Sequence, residues 1–324
     1  MRLIAKHVLP EGCVRTASGL LVPVLDCLPP ELKRAILFLP EGERQKMEEI
    51  RLRTGRFATV TVGGEEQILT RDGKLISEDH LGRGILCPAE HIRQTVERAA
   101  NGFVYSAEET MRQGFVAMRG GHRCGLAGHA VSADGAVAAI SNFSSVCLRI
   151  ARDVEGVAAE GADAITNGRT VCNTLIVSPP LAGKTTYLRD LVRTLAAWRF
   201  RIGICDERCE LAAMADGEPQ FALGQSVDVV DNCPKSEAAM ILLRALAPQI
   251  IAMDEITAPN DVSAILSAAN CGVAVVATAH AENMEAAVQR PIYAPLWENR
   301  VFSRVLELST GSHRRTCAVY AAES

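Results

Sequence analysis

From residue 174 onward, apolar runs that read as strands alternate with stretches that read as helices. The strand-like runs are residues 174–177, 202–205, 250–253 and 273–278, and the helical stretches are residues 184–198, 235–246 and 259–269. Strands separated by helices form a parallel sheet with helices on its faces, because each connection must cross the sheet. The second half of the chain is therefore predicted to be an α/β domain with a mainly parallel sheet.

The turn after the first of these strands has the composition of a P-loop. It lies between a strand and the start of a helix, where backbone N–H groups and the helix N-terminus can bind phosphate oxygens. Gly183 allows close approach of the backbone, Lys184 reaches the outer phosphates, and Thr185 ligates Mg²⁺. The residues predicted to bind ATP are Ser178, Pro179, Pro180, Leu181, Ala182, Gly183, Lys184, Thr185 and Thr186.

Ser178 is a departure from the general P-loop pattern, which has a glycine at that position. An ordinary loop that caps a helix is the alternative interpretation of the turn. A scaffold that holds ATP but hydrolyses it poorly is another.

Carboxylates follow two of the other strands. Asp254 and Glu255 end the run at residues 246–255 in the manner of a Walker B motif, in which Asp254 would hold Mg²⁺ and Glu255 would orient or deprotonate water. Asp206 and Glu207 follow residues 202–205 and should reach the same sheet edge. We therefore predict Asp206 as a further Mg²⁺ ligand and Glu207 as a second candidate base. Helix capping or a solvated loop are the alternatives.

The last of the strand-like runs ends in Thr278-Ala279-His280. An imidazole at that edge could donate a hydrogen bond to the terminal phosphate, so His280 is predicted to contact the nucleotide. A structural histidine is the alternative.

The first half of the chain has a mixed pattern that predicts an α+β domain. The expected helices are residues 30–37, 41–47, 88–100 and 107–113, and the expected strands are residues 50–53, 58–62, 67–70, 115–118, 123–131 and 146–150. Residues 152–170 are rich in Ala, Gly and Asp, which favours a boundary there. We predict one domain at residues 1–155 and a second at residues 156–324.

Composition argues against several classes of protein. The net charge is −4 and aromatic residues make up 4% of the chain, so nucleic acid is not an expected partner. Eleven cysteines without a CxxC pair fit reduced thiols in the cytoplasm. The N-terminus is too polar for a signal peptide, and the uncharged residues 262–281 contain a helix stop at Asn270-Cys271-Gly272, which predicts a helix and a buried strand instead of a membrane span.

The order of these motifs resembles the P-loop, Asp box, Walker B and His box of secretion-type motor ATPases. It is more closely similar to the stage III sporulation protein AA family. The supporting segments are residues 48–53, 105–114, 120–128, 148–152, 185–193 and 206–212.

This resemblance implies a RecA-like P-loop NTPase domain preceded by an α+β N-terminal domain, with ATP and Mg²⁺ as cofactors. It implies an ATPase of endospore formation that forms a homo-oligomeric ring, expected to be a hexamer, and works with a membrane channel or other sporulation proteins. The expected location is the cytoplasm, at the inner face of a membrane on the mother-cell side. The Ser-Pro-Pro opening of the P-loop is then a family habit.

In such rings an arginine of the N-terminal domain or of a neighbouring subunit can stabilise transition-state charge. The candidates are Arg149 and Arg152, with Arg123 behind them. Solvated or salt-bridged arginines are the alternative for all three. For the whole chain, a nucleic-acid-handling P-loop ATPase remains the alternative from another functional class.

Overall fold

The computed structural model describes residues 1–10, 13–15, 21–79, 82–100, 114–133, 136–180, 182–214, 217–310 and 315–322. Its helices are α1 (Val22–Cys27), α2 (Pro30–Phe38), α3 (Glu41–Lys46), α4 (Ala89–Ala100), α5 (Ala159–Ile165), α6 (Lys184–Ala197), α7 (Lys235–Ala245), α8 (Pro259–Asn270), α9 (Met284–Gln289) and α10 (Ala294–Glu298). The 3₁₀ turns are Arg119–Gly121 and Pro291–Tyr293. The helix predicted at residues 107–113 lies outside the described residues.

The strands are β1 (Arg2–Val8), β2 (Cys13–Arg15), β3 (Met47–Arg53), β4 (Arg56–Phe57), β5 (Thr59–Val62), β6 (Glu65–Leu69), β7 (Leu75–Ile76), β8 (Leu86–Cys87), β9 (Phe115–Met118), β10 (His122–Ala133), β11 (Ala136–Arg149), β12 (Asp153–Glu155), β13 (Thr174–Ser178), β14 (Ile202–Asp206), β15 (Val227–Asp231), β16 (Ile250–Met253), β17 (Ala274–His280), β18 (Arg304–Thr310) and β19 (Arg315–Ala321). The predicted strands and helices of the second half are confirmed within a few residues at their ends. The strands that lie outside the predicted ones are β1, β2, β4, β7, β8, β12, β15, β18 and β19.

The chain divides into two units, of which the larger comprises Met1–Arg15 and Asp153–Ser324. Its eight-stranded sheet has the order β1-β19-β18-β13-β17-β16-β14-β15. Strands β18, β13, β17, β16, β14 and β15 are mutually parallel, whereas β19 runs antiparallel to both its neighbours. All residues of β13, β14 and β16 are buried, as expected for central strands covered on both faces. The predicted α/β class is confirmed.

Two apolar clusters cover the faces of this sheet. One contains α6 residues such as Leu188 and Leu191, packed with Ile176 and Ile204. The other contains α7 and α8 residues packed against β16 and β17. The uncharged residues 262–281 form α8 and β17, as predicted, and among the described residues no helix is both long enough and apolar enough to cross a membrane.

The smaller unit, Thr16–Arg152, has an antiparallel sheet of the order β7-β6-β5-β3-β11-β10-β9. Helix α4 packs on β11 and against α1, and the core includes Leu32, Ile50 and Leu148. This is the α+β architecture predicted for the first half.

The units differ from the predicted division at residues 155 and 156 because residues 1–15 pair with the larger unit. Strand β1 is antiparallel to β19, and β2 pairs with β12 so that Arg15 lies opposite Asp153. The chain therefore leaves and re-enters the larger unit on adjacent strands. Helix α6 also binds β12, the strand on which the chain re-enters the larger unit, since Arg193 of this helix forms ion pairs with Asp153 and with Asp190. A division into independent domains stays a prediction.

Two glycines of β10 offer a matched test of packing in the smaller unit. A Cβ on Gly128 would lie 2.5 Å from the Ser141 carbonyl oxygen, at an irregularity in the β10–β11 register, whereas on Gly125 the nearest atom, the Cys147 carbonyl oxygen, is 3.6 Å away. We expect Gly128→Ala to lower the free energy of unfolding by about 1–3 kcal/mol, because backbone cannot yield easily. Urea unfolding followed by far-UV circular dichroism measures this. Equal stability of Gly128→Ala and Gly125→Ala would contradict it.

Candidate nucleotide site

The carboxyl ends of four parallel strands bring the predicted site residues to one edge of the larger sheet. Ser178 ends β13 beside His280 at the end of β17, and Cys205 of β14 lies beside Met253 of β16. Because Asp206 ends β14 and Asp254 follows β16, their positions along the sheet edge are fixed by the strand register. The structure thus places the four predicted motifs side by side.

The turn after β13 has the backbone that a phosphate-binding loop needs. Gly183 has φ of 90°, a left-handed conformation that glycine adopts without strain, and α6 begins at the next residue, Lys184. Pro179 and Pro180 stiffen the start of the turn. Ala182 is buried, and Thr186 lies half-buried in the opening turn of α6. The predicted contribution of Leu181 lies outside the described residues.

Ser178 lies on the strand side of this turn. Its side chain is fully buried, and its hydroxyl donates to the carbonyl oxygen of Pro179 over 2.9 Å. A serine is therefore accommodated here by a local hydrogen bond.

Asp254 is the centre of a hydrogen-bond network between the P-loop helix and two strands. Its Oδ2 accepts from the Thr185 hydroxyl over 2.8 Å, and its Oδ1 accepts from the Thr278 hydroxyl over 2.7 Å. The backbone N–H of Glu255 donates to Asp254 Oδ1 and to Thr278 Oγ1. A hydroxyl and a carboxylate adjacent to a phosphate-binding loop are oxygen donors of the kind Mg²⁺ takes. Thr185 and Asp254 therefore fit the predicted metal site.

Lys184, His280 and Glu255 form a second chain of contacts. The Lys184 ammonium donates to His280 Nδ1 over 2.7 Å, and His280 Nε2 lies 3.2 Å from Glu255 Oε1. Since Nδ1 accepts from a lysine, the proton of a neutral imidazole lies on Nε2, the nitrogen nearer to Glu255. Burial lowers the pKa of Lys184, against the opposing attraction of Asp254 and Glu255.

Asp206 has a different position from the one predicted for a metal ligand. Its Oδ1 accepts the N–H groups of Glu210 and Leu211, and its Oδ2 accepts the N–H of Ala212. Burial raises the pKa of Asp206, although these backbone hydrogen bonds act in the opposite direction. The carboxylate accepts N–H groups of its own loop, which favours a role in positioning that loop, and its role as a Mg²⁺ ligand stays a prediction. Sequence pattern gave the strand end but not the direction of the side chain.

Glu207 lies near Asp254 and Glu255 but has a cationic partner of its own. One pocket is lined by Glu207, Arg208, Lys235, Asp254 and Glu255 together with residues of β14. The buried ammonium of Lys235 pairs with Glu207 and lies 3.7 Å from Asp261. The sequence pattern predicts Lys235 only as the first residue of a helix, because its partner Glu207 is distant in sequence.

Arg189 is a further residue whose role the sequence pattern missed. It extends from the buried face of α6 and donates to the backbone carbonyls of Leu211 and Glu210, with its guanidinium 3.6 Å from the centroid of the Phe221 ring. Burial lowers the pKa of Arg189 to about 10. The P-loop helix therefore holds the loop that follows β14. The sequence signal that could have identified it is an arginine among the apolar residues that predict the buried face of this helix.

The arginines predicted to act on the nucleotide lie in the smaller unit. Arg149 lies 3.3 Å from Glu49, and Arg152 lies 3.5 Å from Glu48 and also donates to the carbonyl of Lys46. Arg123 stacks on the Phe115 ring at 4.3 Å. Any action of these groups on a nucleotide stays a prediction.

Comparison with known proteins identifies relatives along most of the chain. The family model described as "Sporulation stage III, protein AA" matches residues 25–321. Stage III sporulation protein AA of Bacillus subtilis strain 168 is 35% identical over 291 residues, which span 88% of this chain and 90% of that protein. The resemblance noted from the motifs is confirmed.

Solved structures of similar fold include two that carry ATPase or motor names. The Legionella pneumophila ATPase DotB has a TM-score of 0.56 at 13% identity, covering 91% of this chain and 80% of that one. The pilus retraction motor PilT with bound ADP also has a TM-score of 0.56 at 14% identity, covering 94% of this chain and 84% of that one. At these identities the likeness shows the fold, so the predicted RecA-like P-loop architecture is confirmed.

Thr278 and Thr174 allow the Asp254 network to be tested against a matched control. Both threonines are fully buried. Thr278 of β17 donates to Asp254, whereas Thr174, the first residue of β13, donates to the carbonyl of Cys172. We expect both threonine-to-valine variants to lose about 1–3 kcal/mol of unfolding free energy. Only Thr278→Val should also weaken Mg²⁺-dependent ADP binding, measured by calorimetry. Equal metal dependence in the two variants would contradict the network's role.

Proposed function

Because the chain belongs to the stage III sporulation protein AA family, we propose that it is an ATP-hydrolysing motor of endospore formation. The observation that carries this proposal is the joining of Lys184, Thr185, Asp254, Glu255 and His280 in connected hydrogen bonds and an ion contact at one sheet edge. Such an edge combines phosphate-binding, metal-binding and water-orienting groups.

The P-loop supplies the phosphate site in this proposal. Backbone N–H groups at the start of α6 face the phosphates, with the helix dipole favouring negative charge there. Lys184, now held by His280, reaches the outer phosphates when they are present. Mg²⁺ held by Thr185 and Asp254 would neutralise charge that develops on the phosphoryl oxygens.

Glu255 is the better of the two candidates for the group that orients or deprotonates water. Its carboxylate contacts His280, which in turn contacts Lys184, so it lies within two side chains of the phosphate-binding lysine. Glu207 instead pairs with the buried Lys235, which neutralises its charge. We therefore assign Glu255 the base role and Glu207 a positioning role.

Conversion of hydrolysis into movement requires a second body that responds to the nucleotide. We propose that the smaller unit serves as this body, and that Arg149 or Arg152, from the same or a neighbouring subunit of a homo-oligomeric ring, stabilises the transition state. A hexameric ring acting with a membrane channel or other sporulation proteins, at the inner face of the mother-cell membrane, is the arrangement that fits the family best.

Two other functions make different demands on the same site. A nucleotide-binding scaffold needs Lys184 and Thr185 but makes no use of Glu255. A nucleic-acid-handling ATPase needs a basic surface, which the net charge of −4 does not favour. The intact Glu255–His280–Lys184 chain favours hydrolysis over both.

Steady-state phosphate release from ATP tests the proposed hydrolysis. We expect Lys184→Ala and Glu255→Gln to lower the rate by about 10²-fold or more, because they remove phosphate binding and base action. Glu207→Gln is the matched control and should lose much less, since its carboxylate pairs with Lys235. Equal rates in wild type, Lys184→Ala and Glu255→Gln would overturn the enzyme proposal. Strong stimulation by single-stranded DNA would favour the nucleic-acid alternative.

Native mass measured with and without ATP tests the ring. We expect a multiple of the 34.8 kDa chain that becomes more populated with ATP. A strict monomer under both conditions would contradict any arginine supplied by a neighbouring subunit.

A further inference from the structure

The hairpin of β18 and β19 delivers an arginine to the P-loop. Strand β18 runs parallel to β13, so both end at the same edge of the sheet. Strand β19 returns from that edge and begins at Arg315, which pairs with Thr310, the last residue of β18. Sheet topology therefore places Arg315 beside the turn that follows β13, although the two are far apart in sequence.

The guanidinium of Arg315 packs over Gly183. A Cβ built on Gly183 would lie 3.4 Å from Arg315 Nη1 and 4.0 Å from its Cζ. The absence of a side chain at Gly183 leaves space between the guanidinium and the backbone at the start of α6. Since Gly183 is the residue that turns the loop into this helix, Arg315 lies at the positive end of the helix dipole.

A cation at this end of a helix is electrostatically unfavourable unless an anion joins it. Arg315 is exposed, and within the described part of the chain no carboxylate forms an ion pair with its guanidinium. The α6 arginines differ, because Arg189 bonds to backbone carbonyls and Arg193 pairs with Asp153. The position of Arg315 is therefore suited to an anionic ligand and not to the stability of the free protein.

We propose that Arg315 binds a phosphate group of the nucleotide in cis, on the Gly183 side of the P-loop. This inference rests on the proposed function, which supplies the nucleotide. Arg315 offers a planar fork of N–H donors that matches two phosphate oxygens. Lys184 projects from α6 toward His280, so the two cations approach the phosphates from different elements of the sheet edge. Arg315 contacts the ligand from the same chain, whereas the proposal for Arg149 or Arg152 also allows a neighbouring subunit.

Affinity for ADP, measured by calorimetry on the full chain, tests the proposal. We expect Arg315→Gln to weaken ADP binding about tenfold or more, since a charge-assisted pair to phosphate is lost. Arg315→Lys should keep part of the affinity, because the charge remains without the fork. The control is Arg244→Gln, an exposed arginine in the last turn of α7. It should bind ADP as wild type does.

Several results would overturn the proposal. Affinity of Arg315→Gln within about twofold of wild type would show that the guanidinium does not touch the ligand. Tighter binding would show that Arg315 competes with the phosphates. An equal loss of affinity for adenosine, which carries no phosphate, would assign Arg315 to the nucleoside part of the ligand. Thermal unfolding monitored by circular dichroism confirms that each variant is folded.

ADP binding by wild type and by Lys184→Ala shows whether the nucleotide site itself is correct, independently of Arg315. If wild type binds no ADP, or if Lys184→Ala binds it as tightly as wild type, the nucleotide site itself is wrong and Arg315 loses its ligand. If Lys184→Ala weakens ADP binding while Arg315→Gln does not, the site stands and only the assignment of Arg315 falls.

Discussion

The carboxylate of Asp254 is the point on which the geometry of the site depends. It accepts the Thr185 hydroxyl from α6 and the Thr278 hydroxyl from β17 while its own strand continues into Glu255. A half-buried carboxylate with three such donors fixes the separation between a helix and two strands. The P-loop helix and Glu255 are consequently held at a set distance by one side chain. A change in metal or phosphate occupancy that moves Asp254 would therefore move the P-loop helix and Glu255 together.

The loop after β14 is held from both sides of its backbone. Asp206 accepts its N–H groups, and Arg189 of α6 donates to its carbonyls. Opposite charges thus satisfy donors and acceptors that would otherwise be buried without partners. The arrangement connects the P-loop helix rigidly to the loop that carries Glu207 and Arg208. Arg208 lies 3.7 Å from Glu255, so this connection reaches the proposed base.

Local patterns in the sequence were enough to predict the central strands, because β13, β14 and β16 are short apolar runs that each end in polar residues. They also predicted which groups meet, since parallel strands share a carboxyl edge. They could not predict where a side chain turns at that edge, and Asp206 shows the consequence. Arg189, Lys235 and Arg315 were missed because their partners are distant in sequence. Strand β1 has mostly exposed positions, so its sequence lacks the apolar pattern that predicts a buried strand. Its pairing with β19 is seen only in the structure.

The pairing of β2 with β12 makes the smaller unit an insertion in the larger one. The chain crosses at Arg15 and again at Asp153, and the strands at the two crossings are hydrogen-bonded to each other. A single proteolytic cut within the inserted segment would leave the N-terminal fragment held by two sets of strand pairs, to β19 and to β12. Denaturing electrophoresis would then report two fragments where native mass reports an intact molecule. For such a protein, covalent continuity and structural integrity are separate properties.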